Sequence, residues 1–182
     1  MGYGMLSTPF EDGLRLNDED RVSIAARMLS EYPYSQSPVQ VVDAALRLAE
    51  PCLKDVLVDL GCGDGTVLIR AAGRFRVFSV GLELDAGLVE KARRRVRDAG
   101  LSHMVDIVHA DLFQVDLSRF SLVYVYPFPP IVRRLSLKIL DECRSGTRII
   151  VHDHPLEKLE PLKTLTIPSG RQHVHTILLY VL

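Results

Sequence analysis

The sequence has few of the features that would place a protein in a membrane, in a secretory pathway or on a polyanion. No apolar run approaches the ~20 residues that a membrane-spanning helix needs. Residues 1–20 are polar and acidic, without the basic segment and apolar run of a signal peptide. The formal net charge of -1 gives no field that would collect nucleic acid or anionic lipid. We therefore expect a cytoplasmic protein that acts without a membrane, and nucleic acid is not the favoured partner.

Cysteine is also scarce. Cys52, Cys62 and Cys143 are odd in number and show no CxxC spacing, which argues against a disulfide framework and against a zinc site. The chain of 182 residues is long enough for one domain with a sizeable core and too short for two ordinary ones. We expect reduced thiols and a monomer.

From residue 56 onward, short apolar runs alternate with helical patterns. Strands are predicted over 56–59, 77–82, 105–109, 122–126 and 148–152, with helices over 65–72, 86–99 and 131–142. Such alternation is typical of a parallel sheet covered by helices on both faces. Two further strands, 162–167 and 173–182, follow without a helix between them and predict a hairpin at the sheet edge. The expected fold is a Rossmann-like α/β domain with seven strands, mostly parallel, and an antiparallel last strand.

The first part of the chain does not show this alternation of strands and helices. Residues 1–31 are predicted to be a helical extension, with one short amphipathic helix over 21–30. The domain itself is assigned to residues 32–182. It opens on a segment rich in proline and polar residues and on an amphipathic helix that ends before Pro51.

The loop after the first predicted strand carries three glycines, Gly61, Gly63 and Gly65. Glycine lets the backbone approach a ligand closely, and ligands of open α/β sheets bind at the carboxyl ends of the central strands. A dinucleotide site is the competing interpretation. Its spacing is GxGxxG and its loop receives a pyrophosphate, whereas this loop has GxGxG spacing and carries Asp59 and Asp64. Two carboxylates suit a cationic ligand such as S-adenosyl-L-methionine.

Two more acidic residues stand at the ends of the next strands. Glu83 lies about 20 residues beyond the loop, where a carboxylate can accept both hydroxyls of a ribose. Asp111 follows the third strand and could accept the amino group of an adenine, with Leu112 and Phe113 beside the ring. Asp111 as a simple loop carboxylate remains the alternative. Three elements in order, each at a strand end, make the cofactor prediction specific.

With these motifs the sequence resembles the class I methyltransferases, through the loop over 59–65 and the run over 80–83. It is most similar to the small archaeal protein lysine methyltransferases and the related mitochondrial lysine methyltransferases, over residues 32–182. Further matching segments are 33–38, 146–152 and 175–181. The resemblance implies that Tyr34 and Pro38 lie over the cofactor. It also implies that the target amine binds beside the segment over 124–130.

The acceptor side is assigned to Tyr126, Phe128 and His152 as catalytic candidates. An apolar, aromatic pocket favours the neutral, nucleophilic form of a lysine amine, and the Tyr126 hydroxyl could orient it. Enzymes that methylate nucleobase or glutamine amino groups often use an Asn/Asp-Pro-Pro-aromatic motif. Tyrosine stands here where Asn or Asp would hold the amide, which counts against that reaction.

The sequence predicts no metal site. His152 and His154 flank Asp153 at the end of a strand, and successive strand residues point in opposite directions. His173 and His175 are interpreted as structural residues. Cys62 belongs to the cofactor loop, and its side chain is expected to pack into the fold.

The sequence therefore predicts an S-adenosyl-L-methionine-dependent methyltransferase whose partners are lysine side chains of proteins. The cofactor site is assigned to nine residues: Tyr34, Pro38, Asp59, Gly61, Cys62, Gly63, Glu83, Asp111 and Leu112. One alternative is an RNA or small-molecule methyltransferase that uses the same cofactor. Another is a catalytically silent protein that binds the cofactor and supports a partner.

Overall fold

A computed structural model describes residues 34–169 and 173–182. The predicted extension and its helix over 21–30 lie outside the described residues. The chain divides into two compact units, Met1–Ser35 and Gln36–Leu182, and the helices and strands described here belong to the second. The domain boundary expected after residue 31 stays a prediction.

The described part of the chain contains the predicted alternation of strands and helices. Helices α1 to α4 span Val39–Ala49, Thr66–Arg70, Ala86–Asp98 and Val132–Glu142. Strands β1 to β7 span Val56–Leu60, Phe78–Glu83, Val105–His109, Leu122–Val125, Arg148–His152, Lys163–Ser169 and His173–Val181. The helix predicted over 65–72 is α2 continued by a π-helical turn, Ala71–Phe75. No helix within residues 34–169 and 173–182 has both the length and the apolar character needed to cross a bilayer.

All seven strands form one sheet in the order β3-β2-β1-β4-β5-β7-β6. Strands β1 to β5 pair in parallel, whereas β7 is antiparallel to both β5 and β6. The predicted fold class is therefore confirmed. The order reverses between β1 and β4, because the chain first builds outward to β3 and then returns to the other side of β1. A ligand crevice is expected at the carboxyl ends of the strands at this reversal.

Strand alternation divides the core into two apolar layers. Leu57 and Ile150 belong to the layer packed against α1, α2 and α3. Val58 and Ile149 belong to the layer on the other face, together with residues of α4. Side chains repeat on one face every second residue. The side chain of His152, two positions after Ile150, therefore lies on the face of the sheet that α1 covers.

A buried ion pair ties the start of β1 to β5. The Asp55 carboxylate is 6% exposed, pairs with Arg148 and accepts hydrogen bonds from the Ser121 hydroxyl and the Cys52 amide, both at 2.7 Å. Burial alone would raise the pKa of Asp55. The hydrogen bonds from Arg148, Cys52 and Ser121 outweigh it and lower the pKa to about 2.

Candidate functional site

The glycine loop after β1 turns back onto β2 at the carboxyl end of the sheet. The amides of Gly61 and Cys62 both donate to the carbonyl of Leu82, at 2.9 and 3.0 Å. Gly61, Gly63 and Gly65 have φ angles of 84°, 54° and 78°, a region that favours glycine. A Cβ on Gly61 would meet no neighbouring atom within 4 Å. This part of the loop is therefore open to a ligand.

The Cys62 side chain points the other way, into the core. It is 5% exposed and lies over Gly81 of β2. A Cβ on Gly81 would come within 2.6 Å of the Cys62 Sγ atom and 2.5 Å of the Leu68 Cδ1 atom. Burial, followed by the nearby charges of Asp59 and Glu83, raises the pKa of the Cys62 thiol far above its ordinary value. A contact of Cys62 with the cofactor stays a prediction. Because the side chain is buried, such a contact would be made by the backbone of Cys62.

Three buried carboxylates surround the glycine loop. Asp59, Asp64 and Glu83 are 3%, 2% and 7% exposed. Burial, and then the charges of Glu83 and Asp64, raise the pKa of Asp59 well above its ordinary value. Buried carboxyl groups clustered in this way favour a ligand that carries positive charge. The residues present therefore fit S-adenosyl-L-methionine, with its sulfonium and ammonium groups, better than a pyrophosphate.

Asp64 is engaged by the protein itself. Its carboxylate accepts a hydrogen bond from the Thr66 hydroxyl at 2.7 Å and one from the Gln36 amide at 3.0 Å, and it pairs with Arg95 of α3. The sequence analysis noted only that the carboxylates of Asp59 and Asp64 suit a cationic ligand; the contacts show that Asp64 also stabilises the loop. Gln36 and Arg95 are far from the loop in sequence, so no motif revealed them.

Glu83 also supports the loop directly. Its Oε2 atom accepts the amide of Gly63 at 2.8 Å, and its Oε1 atom accepts the amides of Leu84 and Asp85 at 2.8 and 2.9 Å. A carboxylate has about four acceptor positions, so about one remains for a ribose hydroxyl. The contact with ribose stays a prediction. The contact with Gly63 shows that Glu83 shapes the loop as well.

Asp111 caps a short 3₁₀ turn, Leu112–Gln114, by accepting the Phe113 amide at 2.9 Å. This hydrogen bond is what the alternative interpretation of Asp111, a simple loop carboxylate, requires. Leu112 and Phe113 are partly buried against the apolar layer that contains α4. Their predicted place beside an adenine ring is not tested by the structure.

On the acceptor side, Tyr126 and His152 form a stacked pair. Their ring centroids are 3.9 Å apart with an interplanar angle of 24°, and His152 is fully buried. The Tyr126 hydroxyl donates to Asp153 Oδ2 at 2.8 Å. Burial, and then the hydrogen bond to Asp153, raise the pKa of Tyr126 to about 12, while burial lowers the pKa of His152 to about 4. Both rings are therefore neutral at neutral pH.

The segment before α1 contacts both the glycine loop and the end of β5. Gln36 contacts Asp64 at the glycine loop, and the Ser37 hydroxyl lies 3.2 Å from His152 Nδ1 at the end of β5. Pro38 follows and its carbonyl accepts the amides of residues 41 and 42, at 2.9 and 3.1 Å. This path is consistent with a segment that lies beside the cofactor loop.

Two further predicted site residues, Tyr34 and Phe128, keep roles that the structure does not test. Tyr34 belongs to the first unit and is 39% exposed, so its place over the cofactor stays a prediction. Phe128 is half-buried at the start of a 3₁₀ turn, Pro129–Ile131, directly after the strand-four tyrosines. Its predicted role in the acceptor pocket is likewise untested.

Strand alternation gave the wrong direction for Asp153. Its φ angle of 63° turns the chain out of β5, and its carboxylate joins His152 and His175 instead of pointing away from them. His175 reaches this point because residue 177 of β7 pairs with residue 152 of β5. Single-strand periodicity could not show that register. His173 is exposed two residues earlier on the same strand.

Comparison with known proteins gives two informative relatives among lysine methyltransferases. The Protein-lysine N-methyltransferase of Saccharolobus islandicus (strain REY15A) is 30% identical over 151 residues, which are 82% of this chain and 93% of that protein. The Adenine nucleotide translocase lysine N-methyltransferase of Mus musculus is 32% identical over 106 residues, 58% of this chain. That match spans only 46% of the mouse protein.

A solved structure is similar over most of the chain. The RNA methyltransferase from Salinibacter ruber, in complex with S-adenosyl-L-homocysteine, has a TM-score of 0.75 and 33% sequence identity, covering 81% of this chain and 93% of that one. The ANTKMT methyltransferase domain matches residues 59–163, more than half of the chain, from the buried Asp59 near the end of β1 to the start of β6. The protein therefore belongs to the ANTKMT methyltransferase domain family, which confirms the predicted class I methyltransferase and its cofactor, S-adenosyl-L-methionine.

Proposed function

We propose that this chain transfers the methyl group of S-adenosyl-L-methionine to the ε-amino group of lysine side chains in a protein substrate. The observation that carries the proposal is the 30% identity along 93% of the archaeal protein-lysine N-methyltransferase. The neutral Tyr126 ring, which stacks on the fully buried His152, supports it, because this partly exposed ring offers an apolar surface to an amine.

S-adenosyl-L-methionine supplies a methyl group on a positively charged sulfur, and the attacking amine must be neutral, close and in line with the sulfur–methyl bond. A lysine amine has an ordinary pKa of about 10.4. Desolvation against the Tyr126 ring lowers the pKa of a bound amine. The protein therefore promotes the reaction mainly by burying and orienting the nucleophile.

Tyr126 is suited to orient that amine. Its hydroxyl proton is committed to Asp153 Oδ2, so the phenol oxygen can only accept a further hydrogen bond. A lysine N–H is a donor of the required kind. Stacking on His152 fixes the direction of the phenol ring, and Phe128 extends the aromatic wall in our proposal.

An RNA substrate is the second candidate, because the Salinibacter relative is named an RNA methyltransferase at 33% identity. Exposed basic residues of α3, including Arg94 and Arg97, would be the surface to contact phosphates. Some of the basic side chains on this helix are occupied otherwise. Arg95 pairs with Asp64, and Arg93 donates to the carbonyl of Ile107 at 3.0 Å. The lysine proposal is therefore preferred.

The test is a labelling experiment with methyl-labelled S-adenosyl-L-methionine, offered to a protein extract and to total RNA in separate reactions. We expect label in the protein fraction as methyl-lysine. Asp59→Asn should abolish it, because the substitution replaces one of the three buried carboxyl groups around the cofactor loop. Asp98→Asn, at the exposed end of α3, is the matched control and should keep full activity. Label confined to RNA would refute the lysine proposal and favour the second candidate.

We also propose that the protein works as a monomer in the cytoplasm and needs no nucleic acid for activity. Sedimentation at micromolar concentration tests the oligomeric state, and a dimer would refute it. Nuclease treatment before the labelling reaction tests whether activity needs nucleic acid. Activity lost with nuclease would contradict it, and immunofluorescence on a membrane or organelle would contradict the cytoplasmic assignment.

A further inference from the structure

His152, Asp153 and His175, called here the histidine cluster, meet where the end of β5 lies beside β7. His152 Nε2 is 2.9 Å from His175 Nδ1, His175 Nδ1 is 3.0 Å from Asp153 Oδ2, and His152 Nε2 is 3.6 Å from Asp153 Oδ2. Two imidazole nitrogens and one carboxylate oxygen therefore converge on one point from two strands.

Hydrogen bonding alone satisfies this triangle poorly. His175 Nδ1 carries either one proton or one lone pair. If it donates to Asp153, the same proton must be shared with His152 Nε2. If it accepts from His152, its lone pair faces a carboxylate oxygen at 3.0 Å. A cation bound beside the three atoms accepts a lone pair from all of them at once.

The distances suit such a cation. Ligand bonds of about 2.1 Å place neighbouring ligand atoms about 3.0 Å apart in octahedral geometry and about 3.4 Å apart in tetrahedral geometry. The three observed separations, 2.9, 3.0 and 3.6 Å, span these values. The imidazole rings of His152 and His175 are also inclined at 64° with centroids 4.7 Å apart, so their nitrogens converge and are not in line.

The outer contacts fix the ligands in the required direction. His152 Nδ1 lies 3.2 Å from the Ser37 hydroxyl and 3.4 Å from the Tyr124 hydroxyl, which leaves Nε2 directed at the cluster. Asp153 Oδ1 accepts the Thr176 amide at 2.7 Å, which leaves Oδ2 directed at it. Metal-binding histidines and carboxylates are commonly held by such outer hydrogen bonds.

We propose that the histidine cluster binds one divalent transition-metal ion of the zinc class, through His152 Nε2, His175 Nδ1 and Asp153 Oδ2. Two imidazoles and one carboxylate suit zinc and its neighbours and not magnesium or calcium, which prefer oxygen ligands. Three protein ligands leave at least one position for water. The side chains of His175 and Asp153 are 17% and 21% exposed, so water reaches the ion from their side.

The ion would act on the acceptor side of the crevice without taking part in methyl transfer. Asp153 Oδ2 is also the acceptor of the Tyr126 hydroxyl. An oxygen with two lone pairs can hold the ion and the phenol proton together. Metal binding would therefore tie the end of β5 to β7 and hold the Tyr126 ring in place.

The test uses the full untagged chain, stripped with a chelator and titrated with Co²⁺, whose visible absorption reports on its ligands. We expect one Co²⁺ per chain in the wild type and in His173→Ala, an exposed histidine of the same strand. Binding should be weaker by roughly 100-fold or more in His175→Ala and Asp153→Asn, because the first removes a ligand and the second replaces a charged carboxylate ligand with a neutral amide. Asparagine tolerates the positive φ of residue 153, so the second variant is expected to fold.

Thermal unfolding with and without Zn²⁺ gives a second measurement. Zn²⁺ should raise the melting temperature of the wild type and of His173→Ala, and leave that of the two ligand variants unchanged. Absence of one-to-one Co²⁺ binding by the wild type would overturn the proposal whether or not the variants fold. Equal binding by wild type and folded ligand variants would also overturn it. Because no substrate is present, either result leaves the proposed methyl transfer untouched.

Discussion

Gly81→Ala is expected to displace the glycine loop from β2. The new methyl group would lie 2.5 Å from Leu68 Cδ1, 2.6 Å from Cys62 Sγ and 2.9 Å from Cys62 Cβ. Leu68 is fully buried and has little room to move, and the Cys62 Cβ atom can move only with the loop backbone. The substitution is thus an overpacking change at the point where the loop contacts the sheet.

The size of the effect follows from two opposing contributions. Overpacking a core typically costs about 1–3 kcal/mol, and contacts below 3 Å on two sides favour the upper part of that range. Removing a glycine from a strand returns about 0.5–1 kcal/mol. We expect a net loss of about 2 kcal/mol in the free energy of unfolding, measured by urea denaturation. Cofactor affinity, measured by calorimetry with S-adenosyl-L-homocysteine, should fall by roughly tenfold or more.

Two further variants make this prediction refutable. Gly73→Ala places its methyl group 3.7 Å from the nearest atom, an ordinary contact, and should be neutral or stabilising by up to about 1 kcal/mol. Cys62→Ala combined with Gly81→Ala removes the Sγ clash and should recover about 1 kcal/mol of coupling energy. Wild-type stability of Gly81→Ala, or a double variant that recovers nothing, would refute the overpacking explanation.

Three other changes have definite expected outcomes. Glu83→Gln places an amide donor against one or more of the three backbone amides that Glu83 accepts, and should cost about 1–3 kcal/mol in stability and weaken cofactor binding, checked by the same two assays. The folded-state pKa of Asp55, about 2, is below its ordinary value of 3.8, so this residue stabilises the fold by about 2 kcal/mol at neutral pH. That contribution should be complete above pH ~4 and be lost as the pH falls toward 2, whereas an Asp55→Asn variant should lack this pH dependence in denaturant melts. Tyr126→Phe removes the hydrogen bond to Asp153 and should lower kcat by roughly tenfold with cofactor affinity unchanged, and an unchanged kcat would refute the orienting role.

Much of the fold follows from local patterns that a single sequence carries. The alternation of apolar runs with helical stretches predicted every strand from β1 to β7 within a few residues, and the hairpin of β6 and β7 at the sheet edge. The glycine loop was predictable from its three glycines. The structure shows why they are there: the loop needs positive φ angles, which favour glycine, and open space at Gly61. The π-helical turn after α2 was not predictable, since no simple periodicity in the sequence indicates such a turn.

The contacts within the site were less predictable. Asp64 was noted only as one of two loop carboxylates that suit a cationic ligand. Its contacts with Gln36, Thr66 and Arg95 depend on elements that only the folded chain brings together. Asp153 was expected to point away from His152, which holds only while the strand continues. Its left-handed backbone ends the strand and reverses that direction. His175 joined the cluster through the β5–β7 register, a property of a strand pair and not of either strand.

The most direct test of the proposed lysine methylation is mass spectrometry of proteins incubated with the enzyme and S-adenosyl-L-methionine that carries a deuterated methyl group. Fragmentation locates the added group on a particular side chain. We predict deuterated methyl groups on lysine ε-nitrogens, present with the wild type and absent with Asp59→Asn. Deuterated methyl groups on other residues, or in nucleotides of added RNA and not in protein, would contradict the proposed activity.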